Sequence, residues 1–168
     1  LLPSSLYAQD QGVTDDKIVV GVTQPLTGPA AGWGVSITGG MQAWADYIND
    51  QGGIHGRKIE LIVKDDGYNP ARAMANLQEM KNKVFAVCAQ LGSAGCNAAK
   101  DFFPENKIPL VTPYASLSIY QNQPKEKRRY YFVSYPNYED ETRYMTYFAL
   151  NKLGVKKIAH FYQNDEYG

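Results

Sequence analysis

Excess charge of either sign, histidine, cysteine and long apolar runs are all scarce in this sequence, and each scarcity removes a class of function. Lys and Arg number 17 against 17 Asp and Glu, a formal net charge of zero. That balance gives no electrostatic case for binding nucleic acid or an anionic membrane surface. Two histidines, His55 and His160, and two cysteines, Cys88 and Cys96, are too few for a metal framework. No stretch approaches the ~18 consecutive apolar residues that a spanning helix requires, so no membrane insertion is expected.

What is present is a chain that is 44% hydrophobic over 168 residues, enough for a core in one domain or one domain and the start of another. Tyrosine is enriched, with 13 copies, ten of them bunched between Tyr114 and Tyr167. Its flat apolar body and single polar tip suit small-ligand and protein interfaces, and equally suit packing of helix against sheet. The opening residues, Leu1 to Ala8, are apolar and end on a small residue before Gln9-Asp10-Gln11-Gly12 turns polar, like the tail of a secretory signal. The competing reading is an ordinary chain terminus. Cys88 reads as mid-strand and Cys96 as first-turn helix, a placement that works against the short Cα separation of a disulfide and leaves their pairing open.

The chain alternates between two hydrophobic periods. Lys17 to Thr23, Arg57 to Lys64, Val84 to Ala89, Ile108 to Val111, Tyr130 to Ser134 and Lys157 to Tyr162 are short β-branched or aromatic runs that read as strands. Between them, helical spacing covers Val35 to Asp50, a segment opened by Asn69-Pro70, a segment from Ser93 to about Phe103-Pro104, and Glu139 to Leu153. Thr112 to Arg129 reads as a long polar loop. Alternation at these lengths predicts an α/β fold, a Rossmann-like doubly wound parallel sheet with right-handed crossovers and helices on both faces.

In an open parallel sheet, ligands bind beyond the carboxyl ends of the strands. Strand one is followed there by Thr27, Gly28 and Trp33, strand three by Gln90 to Ser93, and strand four by Thr112 to Ser116. None of these positions carries Lys, Arg, His, Asp, Glu or Cys. Acid–base catalysis needs a titratable group and a serine nucleophile needs a base, so the rim is equipped to hydrogen-bond and stack but not to transform a substrate. Phosphate cradling is also unsupported, because Gly32-Trp33-Gly34 continues into Val-Ser-Ile without the third glycine. No cofactor is implied.

Ser93 stands where a strand hands over to a helix, between Gly92 and Ala94-Gly95. Free backbone N–H groups at such a corner can hold a carboxylate; alternatively Ser93 is only the N-cap. Trp33, with a glycine on each side, reads as a loop residue offering a surface for a ligand to lean on. Asp65-Asp66-Gly67 reads as a strand-end turn rather than an acid pair, and Lys125 to Arg129 as a solvated loop.

Taken in order, KIVVGVTQPLTGPAAGWG, INDQGGIHGRKIELIVKDDGYNP, KIPLVTPYAS and the closing QNDEYG resemble the periplasmic leucine/isoleucine/valine-binding proteins of ABC uptake systems, over about residues 17–168. The resemblance implies two Rossmann-like lobes that close on a ligand like a hinged trap. It divides the chain into an N-terminal segment (1–16), lobe one (17–135) and the start of an incomplete lobe two (136–168). It also implies roles. Trp33 matches the aromatic that covers the ligand, and Ser93 the serine holding the α-carboxylate. Tyr114 matches a position whose carbonyl accepts from the ammonium, Ser116 the hydroxyl beside it, and Tyr167 a second-lobe tyrosine facing the cleft. Tyr68 stands where some relatives carry a disulfide cysteine, and Tyr114 is larger than the usual alanine, which points to a different or aromatic-containing ligand. The acidic residue that pairs with the ammonium would lie in the remainder of a chain about twice this long.

The expectation is therefore an extracytoplasmic, non-enzymatic solute receptor that delivers a branched-chain amino acid or related small carboxylate to a membrane ABC permease. The alternatives are a ligand-sensing domain of a receptor or regulator with the same fold, and a nucleotide-using α/β enzyme.

Overall fold

A computed structural model of the protein describes residues 10–168, so the signal-like residues Leu1 to Ala8 lie outside the described part. Strand β1 (Lys17–Gln24) leads through a Pro- and Gly-rich turn into helix α1 (Ala31–Asp50). Then follow β2 (Lys58–Asp65), α2 (Pro70–Met80), β3 (Ala86–Cys88), α3 (Ser93–Ala99), α4 (Phe102–Asn106) and β4 (Leu110–Val111). Two short helices, α5 (Ser118–Gln121) and α6 (Lys125–Arg128), precede β5 (Tyr131–Phe132) and α7 (Tyr138–Asn151).

The five strands form one sheet in the order β2-β1-β3-β4-β5, and every pairing is parallel. The α/β doubly wound expectation holds. Because the chain steps from β1 outward to β2 and then back across to β3, right-handed crossovers place α1 on one face of the sheet and α2 on the other.

The two faces are sealed unequally. On the α2–α5 face Val87, Leu110 and Tyr131 stand in register on adjacent strands, and all are buried. They pack with Leu77, Met80, Phe102, Phe103, Ile108 and Tyr120 into the main core. On the other face α1 packs against β1 and β2. Beyond α1's reach the row Cys88, Val111, Phe132 becomes more open toward β5, and Phe132 is 56% exposed.

Several local expectations are corrected. Helix α1 starts at Ala31 rather than Val35, which puts Trp33 in its first turn instead of a loop. Gly34 explains the early start: a methyl there would overlap the Pro25 carbonyl, so only glycine lets the turn dock on the chain leaving β1. The helix expected to run on to Phe103-Pro104 is two, α3 and α4, because Pro104 has no N–H and belongs in a first turn. The polar loop 112–129 contains α5, which buries Tyr120 in the core.

Lys157 to Tyr162 is not a strand. A parallel strand exists only through bonds to a neighbour, and none of the described residues runs alongside it. Cys88 and Cys96 are both free. Burial pushes the Cys88 thiol up to about 11 and Cys96 to about 12, so both are protonated and unreactive at neutral pH.

Candidate functional site

The carboxyl ends of the strands are held by a layer of buried polar side chains. The Gln24 amide donates to the Ala89 carbonyl. Thr23 donates to Asp66 Oδ2 at 2.9 Å, and Asn76 Nδ2 donates to the Thr23 hydroxyl at 3.1 Å. Burial pushes the Asp66 carboxyl above its usual range, while the Tyr68 N–H and the Thr23 hydroxyl pull it back. Its neighbour Asp65 points the other way. Asp65 accepts from the Thr27 hydroxyl at 2.7 Å and from the N–H groups of Leu26 and Gly67, both at 2.9 Å. Those bonds, with Thr27 first among them, hold its carboxyl well below the usual range. The Asp65-Asp66-Gly67 turn thus ties the β1–α1 connection to the end of β2.

Above this layer lies a cavity of about 460 Å³. Trp33 enters it from the first turn of α1, 68% exposed. The β3–α3 junction supplies Leu91, Gly92 and Ser93, and the segment after β4 supplies Tyr114. Tyr135 and Tyr138 come from the approach to α7 and its first residue, and Gln163 and Tyr167 from the segment beyond it. Tyr68 closes another side. Apart from tyrosine hydroxyls, the lining carries no titratable side chain.

At the junction Gly92, with φ 105, is the N-cap of α3, and Ser93 is its first helical residue. The capping alternative for Ser93 is therefore removed. Ser93 is 1% exposed, and its hydroxyl has no hydrogen-bond partner among the described residues. A buried hydroxyl in that state carries an unmet desolvation cost that a ligand oxygen would relieve. The first-turn N–H groups beside it have no intrahelical acceptor.

The tyrosines form a continuous wall. Ring centroids are 5.4 Å apart for Tyr114–Tyr135, 5.8 Å for Tyr135–Tyr138 and 5.2 Å for Tyr138–Tyr167, the last two edge-to-face. Burial pushes the Tyr138 hydroxyl well above the ordinary tyrosine range, with neighbours Tyr135 and Tyr167 adding to it. The Ser93 hydroxyl offsets part of this from nearby, without hydrogen-bond geometry. Tyr138 is a neutral donor at physiological pH.

The structure brings Trp33, Ser93, Tyr114 and Tyr167 to this one cavity. The Tyr114 carbonyl already accepts from the Gly92 N–H at 3.1 Å, which leaves one lone pair. Ser116 is placed elsewhere. It is buried outside the lining, donating to Asn137 Oδ1 at 3.1 Å and sitting 2.9 Å from the Ser118 hydroxyl and 3.4 Å from the Tyr138 N–H. Its hydroxyl anchors the start of α7 to the segment that follows β4.

The periplasmic binding protein family matches residues 17–168. This chain belongs to that family. Periplasmic binding proteins like it include the leucine-specific-binding protein of Salmonella typhimurium, 28% identical over 165 residues that cover 96% of this chain and 43% of that one. Among solved structures, a fatty acid ABC transporter substrate-binding protein from Thermomonospora curvata superposes with a TM-score of 0.79 at 32% identity, covering 89% of this chain and 37% of that one. An ABC transporter solute-binding protein from Rhodopseudomonas palustris, in complex with 3,4-dihydroxybenzoic acid, gives a TM-score of 0.69 at 25% identity, covering 84% and 38%. The chain thus spans about two fifths of the length of these relatives.

Within this type I periplasmic-binding-protein lobe, sequence reasoning missed Tyr68, Tyr135, Tyr138 and Gln163 as lining residues. Tyr135 lies just beyond the carboxyl end of β5 and Tyr138 opens α7, a strand end of the same kind as those after strands one, three and four. The other signal was the local density of tyrosine, which composition alone could not separate from core packing.

Proposed function

We propose that this chain forms one wall of an extracytoplasmic solute receptor whose ligand is a small carboxylate carrying an apolar or aromatic group, amino acids included. The carrying observation is the buried, unpartnered Ser93 hydroxyl, set beside first-turn N–H groups in a cavity ringed by Trp33 and five tyrosines. Ser93 takes the carboxylate, and Trp33 and the tyrosine wall take the rest of the ligand, with Tyr138 as a hydroxyl donor. The remaining lone pair of the Tyr114 carbonyl accepts from an ammonium where the ligand has one.

Residues 17–135 act as lobe one, and the chain from 136 onward begins a second lobe that brings Tyr167 to the cleft. In this reading Ser116 supports the site from behind rather than touching the ligand. Delivery to a membrane ABC permease follows from the same reading, and is in keeping with relatives that are ABC transporter substrate-binding proteins. Isothermal titration of the full-length protein against branched-chain amino acids, aromatic amino acids and hydroxybenzoates tests it. Saturable binding of at least one class is expected, and no heat from any member overturns the reading.

A further inference from the structure

A second cavity of about 310 Å³ lies directly behind the first, and Tyr68, Leu91, Gly92 and Gln163 line both. Its own walls present mostly apolar surface from Pro70, Ala73, Ala94 and Gly95, with Asp66, Asn69 and Asp165 as polar members. The two chambers differ in character: the front one has hydroxyls and rings, the back one has small aliphatic groups with those carboxylate and amide side chains among them.

Tyr68 is held between them by its backbone. It has φ +63, a left-handed conformation that is strained for a bulky residue and persists only where its surroundings impose it. Those surroundings are explicit. The Tyr68 N–H donates to Asp66 Oδ1 at 2.9 Å, and the Thr23 hydroxyl holds the other carboxylate oxygen. The ring lies so close to Gly92 that a methyl group there would come within 2.8 Å of it. At its tip the Tyr68 hydroxyl accepts from Gln163 Nε2 at 3.4 Å. Backbone, ring face and hydroxyl are each fixed by a separate contact.

We propose that Tyr68 sets the length of ligand this site accepts, by closing the front chamber against the one behind it. This rests on the carboxylate reading above. A ligand anchored at Ser93 extends its apolar end until it meets the Tyr68 ring. With that ring gone, the same end would run on over Leu91 toward Ala73 and Ala94.

Titration of the full-length protein with straight-chain alkanoates from butanoate to decanoate, and with the matching 2-amino acids, tests the idea in wild type, Tyr68→Gly and Tyr68→Phe. Glycine suits the positive φ, so Tyr68→Gly removes the ring without adding backbone strain. In wild type, affinity should stop rising once the front chamber is full. In Tyr68→Gly it should go on rising by about fourfold per added methylene, the gain from burying a CH₂. Tyr68→Phe keeps the ring and should keep the wild-type cut-off. The same cut-off in wild type and Tyr68→Gly overturns the proposal while leaving the carboxylate site standing. Binding of no member by any of the three proteins overturns this proposal, and the absence of heat from hydroxybenzoates and aromatic amino acids as well overturns both.

Discussion

At the scale of single residues, Ser93 shows how one position can be costly for the fold and useful to the site. Its hydroxyl is buried without a partner. Ser93→Ala is therefore expected to leave the ligand-free protein as stable as wild type, or to raise its stability by about 1 kcal/mol, because a buried unsatisfied group is removed. The same change should weaken binding of a carboxylate ligand about tenfold or more, the loss of one hydrogen bond to a charged group. Thermal melts of the free protein and titration of the ligand read the two effects separately. Equal loss in both would mean that Ser93 serves the fold rather than the ligand. The sequence was informative here, since a serine after glycine at a strand-to-helix handover is visible in one dimension. That Gly92 and not Ser93 is the cap was not visible, because it depends on a backbone angle.

At the scale of elements, the turn after β2 organises the rim, and its two carboxylates respond oppositely to pH. Asp65 is held below its usual range, so the stability it contributes is present above about pH 4, the ordinary carboxylate value, and is lost as pH falls through its lower folded value. Asp66 is held above its usual range, so its contribution is present below about pH 4 and is lost as pH rises through its higher folded value. Asp65→Asn should consequently lower the urea midpoint most at neutral pH, and its gap from wild type should narrow as the pH falls below about 4. A gap that stays constant across that range would remove Asp65's charge from the account.

Elements were legible in the sequence wherever local pattern decides them. The first five strands, α2 with its Asn69 cap, and the parallel order follow from alternation and turn chemistry. The misses have a common cause. Lys157 to Tyr162 has strand-like residues but no partner to pair with, and α5 is polar by count yet buries Tyr120 through one tertiary contact surface. Pairing and docking are properties of neighbours that a one-dimensional pattern does not contain.

At the scale of the whole molecule, a parallel sheet needs both faces covered, and among the described residues one is covered by a helix only over β1 and β2. Phe132 is exposed at the end of the row Cys88, Val111, Phe132, and so are Tyr144, Met145, Leu153 and Phe161 on and after α7. Surface of that kind recruits other apolar surface. The 168-residue chain prepared by itself is expected to bind a hydrophobic dye, self-associate, and melt over a broad range. A sharp, concentration-independent transition of a monomer, checked by calorimetry and light scattering, would contradict this.

Trp33 gives the cavity a further property. The chain has two tryptophans, and the other, Trp44, stacks with Tyr47 farther along α1 and is not part of the cavity lining. With Trp44 replaced by phenylalanine, Trp33 would be the only indole in this part of the protein, exposed at the mouth of the site and covered when a ligand fills it. The rim then carries its own optical reporter: occupancy can be followed as a blue shift in emission, without labelling the ligand or knowing its identity beforehand.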